Sequence, residues 1–199
     1  MKVAYSQFIQ AMQLSEIDNG TISGWDYPKT PSVDASREFV TKYFKPYMRL
    51  NECTENTEEA CGVGVGSYDY QYTLSNGSSI AIQPGNNLGG VNEGGYIAIM
   101  LDINGPDGPN TGGIDAFYYN IREALGYKLL PAGWSSTVTR EDIFSGTYVW
   151  ENELCQCRDI DYNDKIPHSQ QTQCCGLLLF LDNFEIKDDY PISYYNKYK

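Results

Sequence analysis

Residues 68–83, Tyr68-Asp69-Tyr70-Gln71-Tyr72-Thr73-Leu74-Ser75-Asn76-Gly77-Ser78-Ser79-Ile80-Ala81-Ile82-Gln83, decide the fold. Two runs, Tyr68 to Leu74 and Ser79 to Gln83, flank Ser75-Asn76-Gly77-Ser78, where Asn-Gly is expected to supply the positive φ angles of a tight hairpin turn. A third run from Gly95 to Ile103, rich in apolar and β-branched residues, extends the hairpin into an antiparallel meander.

Helices precede the meander. Tyr5, Phe8, Ile9 and Met12 stand at i, i+3, i+4 and i+7, one apolar stripe of a helix that should stop at Asn19-Gly20 with Gly20 as a left-handed cap. After a loop through Trp25, Pro28 and Pro31, Ser32 or Asp34 caps a second helix over Ser36 to Tyr47. Phe39, Val40, Tyr43 and Phe44 face inward there, and Pro46 falls in the last turn. Residues 51–66 are polar, acidic and Gly-rich and read as a loop stapled by Cys53 and Cys61 rather than an element. Ile114 to Gly126 fits a strand or a short helix. Residues 131–173 read as irregular except for a helical start at Thr139-Arg140-Glu141-Asp142, and Gly176 to Leu181 is a short apolar run. The expectation is one α+β domain over residues 1–199: an N-terminal helix packed on an antiparallel β-sheet of about four strands, with a second helix between them.

The formal charge of −12, from 26 acidic and 14 basic residues, repels a phosphate backbone and argues against a nucleic-acid partner. Cys155-x-Cys157 and adjacent Cys174-Cys175 lack the wider spacing that lets two sulfurs reach one tetrahedral zinc, so the six cysteines read as disulfides. Proximity pairs Cys53 with Cys61, while Cys155 and Cys157 pair with Cys174 and Cys175 in either order. Disulfides require an oxidising, extracytoplasmic compartment. No signal peptide and no apolar run of the ~18 residues needed for a membrane span is present. Met1-Lys2 opens directly into an amphipathic helix, as a chain cut within a longer helix would.

Catalysis finds little support. His168 is the only histidine, in a polar loop, and no nucleophile elbow, phosphate loop or zinc-protease motif occurs, so an enzyme is not expected and no catalytic residue is assigned. Tyr68, Tyr70 and Tyr72 alternate on one strand face and Tyr190, Tyr194, Tyr195 and Tyr198 crowd the C-terminal end; packing is the simpler role for them, a glycan platform the sharper one.

Two segments carry a resemblance. Leu101-Asp102-Ile103-Asn104-Gly105-Pro106-Asp107-Gly108-Pro109-Asn110-Thr111-Gly112-Gly113-Ile114-Asp115-Ala116-Phe117 resembles the D-[VI]-N-G-x-x-G-P-N-x-x-G-x-D-x-F signature of pilin-like proteins of type II secretion and type IV pilus systems. Cys175 to Pro191 is similar to a C-terminal C-x-x-L-I-x-x-D-G-W-x-I-x-x-D-Y-P pattern of the same proteins, with Asn183-Phe184 in place of Gly-Trp. The resemblance implies a long helix on an antiparallel sheet. It also implies an upstream apolar half-helix processed by a prepilin peptidase, which anchors the chain in the inner membrane and then packs against other pilin or pseudopilin subunits in a periplasmic or surface filament. A secreted or surface adhesin built on the same scaffold is the alternative.

Some related pseudopilins hold calcium. Here Asp102, Asn104, Asp107, Asn110 and Asp115 are the candidate oxygen ligands, because calcium takes six to eight oxygens from flexible loops. The simpler role for Asp102, Asn104 and Asp115 is to bond backbone amides and hold a Gly/Pro-rich turn.

Overall fold

The computed structural model describes residues 1–53, 61–63, 69–86, 94–107, 110–150, 153–158 and 172–191. Helix α1 spans Lys2–Asn19 and buries Ala4, Phe8, Ala11, Met12 and Ser15. These recur at steps of three, four and one, the inward face of a helix. Tyr5 and Ile9, expected at the centre of the stripe, stand at its margin, half-buried against the same core. Ala4, Ala11 and Ser15 are the reason, since small side chains let the helix backbone approach the sheet and push longer ones to the flanks. Gly20 has φ 78° and ψ 177°, so the helix ends with a positive φ but leaves as extended chain, not through the left-handed cap expected there.

Helix α2 covers Val33–Tyr43 and is capped by Ser32, whose side chain accepts from the Ala35 amide at 3.1 Å. It starts and ends earlier than its expected bounds. Pro46 lacks the amide that would extend it and disfavours helical backbone at Lys45, so Lys45 and Phe44 both donate to the Val40 carbonyl and the chain turns. Phe39, Val40, Tyr43 and Phe44 are buried as expected. Trp25 stacks on Tyr43 at 4.4 Å between ring centres and Phe8 on Phe44 at 4.7 Å, which locks α1, the following loop and α2 into one aromatic layer.

Six antiparallel strands in sequential order form the sheet: β1 (Leu50–Glu52), β2 (Tyr70–Leu74), β3 (Ser79–Gly85), β4 (Tyr96–Asp102), β5 (Ala116–Arg122) and β6 (Leu130–Pro131). The two strands beyond the expected four are short edges. β1 runs into the stretch read as a mere staple and pairs with β2 through its backbone, Glu52 opposite Tyr72, with the Tyr70 hydroxyl donating to the Glu52 carboxylate. The hairpin between β2 and β3 needs a positive φ only at Gly77; Asn76 instead accepts from the Ser78 amide at 3.2 Å. Ile114 to Gly126 resolves as β5 followed by a short 3-10 turn over Glu123–Leu125.

Register lays Ile80, Leu101 and Phe117 in one row across the sheet and Ile82, Ile99 and Tyr119 in the next. Both rows face the helices, and one apolar cluster joins them to α1, α2 and the C-terminal helix. The other face is covered in part by Cys61 and Val63, packed on Ala81, Met100 and Ala116. Beyond β6 come α3 (Arg140–Ser145), a two-stranded ribbon β7 (Val149–Trp150) and β8 (Glu153–Leu154), and α4 (Cys175–Leu181). Thr139 and Asp142 cap α3 reciprocally. The apolar run before Asp182 is helical, and Leu177, Leu178 and Leu179 are all buried under the disulfides Cys155–Cys174 and Cys157–Cys175. Cys53 pairs with Cys61. With all six cysteines paired, the protein belongs in an oxidising, extracytoplasmic compartment. Among the described residues no helix is long and apolar enough to cross a membrane.

Candidate functional site

The turn that joins β4 to β5 grows from Asp102, the last residue of β4, whose side chain is fully buried. Its Oδ1 accepts from the Asn104 amide at 3.1 Å, and its Oδ2 has no partner. Across the strand pair stands Ser79, whose buried Oγ is likewise without a partner. Burial pushes the Asp102 carboxyl up to about 7, with the charge of Asp115 adding to the rise and the amides of Asn104 and Gly105 opposing it.

Asp115 closes the turn from the other side. Its Oδ1 accepts from the Thr111 amide at 2.6 Å and its Oδ2 from the Asn110 amide at 3.0 Å, so both oxygens serve backbone donors. The Ile103 amide donates to the Asp115 carbonyl at 2.9 Å and continues the ladder one residue past the strand ends. At the tip, the Asn104 side-chain amide donates to the Asp107 carbonyl. With its amide nitrogen turned inward, Asn110 donates to the carbonyls of Gly105 at 3.1 Å and Asp107 at 3.2 Å. The five candidate ligands therefore divide: Asp102 and Asp115 form the base, while Asn104 and Asn110 gather main-chain oxygens at the tip and the Asp107 side chain is exposed. Among the described residues no group of three His, Cys, Asp or Glu side chains is arranged to hold a metal ion. A hard cation at the tip would rest on carbonyl and amide oxygens, a donor set that fits calcium better than zinc.

The C-terminal segment grips the same turn. Tyr190 donates its hydroxyl to the Gly113 carbonyl at 2.8 Å. Gly113 has φ +81°, and a Cβ there would stand 2.6 Å from the Cys175 Sγ, so only glycine fits. Arg140 fastens the segment from α3. Its Nε donates to both carboxylate oxygens of Asp182 at 2.9 Å, and Nη1 and Nη2 donate to Asp189 at 2.8 and 2.6 Å. Lys187 adds a bond to the Asp182 Oδ1 at 2.6 Å. The guanidinium holds the exposed Asp189 carboxyl below its ordinary range. Sequence reading missed this clamp because Arg140 and Asp189 are far apart in the chain and no local spacing announces a pair 49 residues apart.

Of the tyrosines read as a platform, the described residues include Tyr70, Tyr72 and Tyr190. Tyr72 is fully buried, and Tyr70 is half-buried, with its hydroxyl on Glu52 at 3.3 Å and its ring under Arg37. Tyr68, His168, Tyr194, Tyr195 and Tyr198 lie outside the described residues.

Comparison with known proteins gives one assignment. No curated protein and no solved structure matches the chain. A family model described as "Family of unknown function (DUF6613)" matches residues 1–124, from α1 through β5, and so takes in the Asp102–Asp115 turn but not the clamp that closes on it. On a match of that length, the chain belongs to the DUF6613 family.

Proposed function

We propose that this protein is a structural, non-catalytic subunit of a type IV pilus or type II secretion pseudopilus, assembled through an apolar half-helix joined to the N-terminal end of α1. The matched family has no assigned function, so this reading rests on the quoted motifs and on the architecture. The observation that carries it is the contact between the two motif segments, Tyr190 on Gly113, beneath a helix laid across an antiparallel meander. Segments that jointly resemble one family's signature are in this fold one unit. The gene tests it: a prepilin peptidase motif followed by an apolar half-helix directly upstream of α1, with antibody-labelled filaments in electron micrographs of the cells, is expected. An ordinary cleaved signal peptide at that position would overturn it.

Calcium at the turn is a second reading, favoured by the unpartnered, buried Asp102 Oδ2. Isothermal titration of chelator-treated protein should show binding and a raised Tm. Absence of both leaves the turn held by its Asx bonds alone.

A further inference from the structure

One stretch of the acidic chain is locally basic. Five of its 14 basic residues fall between Lys29 and Arg49, against only Asp34 and Glu38 of its 26 acidic ones. Three of the five are tied down: Arg37 and Lys45 hold Glu52, each at 2.6 Å, and Lys42 holds Asp26. Arg49 is exposed and makes no ion pair among the described residues. Between Lys45 and Asn51 lies an open groove of about 660 Å³, lined by Pro46, Tyr47 and Met48 together with the basic Lys45 and Arg49. Through Leu50 and Asn51 this groove borders β1, one edge of the sheet.

The opposite flank carries the complementary charge. After α4, which packs on β5 and β6, the chain turns through Asn183 and Phe184, both with positive φ, and presents Glu185-Ile186-Lys187-Asp188-Asp189. Ile186 is 55% exposed, a large apolar side chain on a protruding turn, with Glu185 and Asp188 exposed beside it. Lys187 is drawn back to Asp182, and Asp189 is held by Arg140, so Glu185 and Asp188 are the charges left facing outward.

We infer that the Glu185–Asp188 turn of one copy docks in the Lys45–Asn51 groove of the next, with Ile186 against Pro46 and Met48 and the acidic pair against Arg49. The two surfaces flank a sheet six strands wide, ~24 Å at the usual strand spacing. A contact between different surfaces on opposite flanks is heterologous, and repeated it generates an open array rather than a closed dimer. The inference rests on the filament reading for its setting and supplies the contact between globular domains that such a filament would use. A single exposed apolar side chain with two partly solvated charges makes a weak contact, so the isolated 199-residue chain should associate only at high concentration.

The test is a dilution series of the ¹⁵N-labelled chain from millimolar concentration, followed by amide shifts. Residues 45–51 and 184–189 should move together, less so at high salt. Arg49→Glu should weaken the association at least fivefold, and mixing it with a Glu185→Lys/Asp188→Lys chain should restore it; Ile186→Asp should weaken it similarly. Unchanged urea midpoints exclude misfolding as the cause. Shifts at only one of the two surfaces, or loss that the charge swap does not restore, overturn the inference. Filaments lacking in cells while the shifts persist would remove the filament reading and leave the contact standing.

Discussion

The Tyr190 hydroxyl and the Gly113 carbonyl, 77 residues apart in the chain, meet at 2.8 Å. Gly113 is also pressed against Cys175, itself bonded to Cys157, so the turn between β4 and β5 is held between a disulfide and a tyrosine. The two segments that stand out in the sequence thus form one piece of structure, and the piece is closed by residues near the C-terminal end of the described chain.

Tyr190→Phe keeps the ring and removes the donor. It should cost about 0.5–1.5 kcal/mol, the usual net value of one hydrogen bond, read as a lower urea midpoint without a change in slope. Amide exchange should quicken over residues 110–115, where the turn loses its outer support. An unchanged midpoint with unchanged exchange would mean that the disulfide alone holds the turn.

Removing the Cys157–Cys175 bridge by paired Ala substitution should cost about 2–4 kcal/mol, and more than removal of Cys53–Cys61, because the sequence separation closed is 18 residues rather than 8. The comparison between the two double variants in thermal melts is the informative one. A larger loss at Cys53–Cys61 would show that packing of Cys61 on Ala81 and Met100 outweighs chain entropy there.

The helix-on-sheet class was legible because period-2 runs around Asn76-Gly77 and the 3.6-residue pattern of α2 are local signals. β1 and β6 were not, since edge strands of two or three residues are made by a partner's backbone and leave no pattern of their own. The burial of α1 was legible in period but not in centre: Ala11 and Ser15 are invisible to a hydrophobic count yet occupy the tightest positions. At the turn, the sequence announced the Asx residues, whereas the orphaned pair Ser79 and Asp102 depends on register, which only the assembled sheet defines.

Arg140→Ala should destabilise by about 2–3 kcal/mol, because the Asp182 side chain is only 2% exposed and would keep a single cation, Lys187. Arg140→Lys should recover little of this, since one ammonium cannot serve Asp182 and Asp189 with the guanidinium's fork. Chemical unfolding of both variants checks it. Equal stability of Arg140→Lys and the parent would show that charge, not geometry, fastens the C-terminal turn.

The last prediction concerns Asp102 and pH. In the fold its carboxyl is raised to about 7 by burial, while in the unfolded chain it has its ordinary value of 3.8. Between those values the folded protein keeps a proton that the unfolded chain has released. The unfolded state then binds fewer protons, so this group's contribution to stability falls as pH rises from about 4 to about 7 and is constant above. At the usual conversion the fall is up to about 4 kcal/mol. Exposed carboxylates with lowered values, such as Asp26 and Asp189, act in the opposite sense at lower pH, so the quantity to read is the difference from Asp102→Asn, which cannot titrate. The variant should be the less pH-dependent of the two between pH 5 and about 7.5, with its advantage over the parent growing as pH rises. Parallel profiles would show that Asp102 is ionised throughout in the fold. In the parent, calcium added at pH 7 should reverse the loss if the free Oδ2 meets a cation, and should do nothing if the turn stands on its amide bonds.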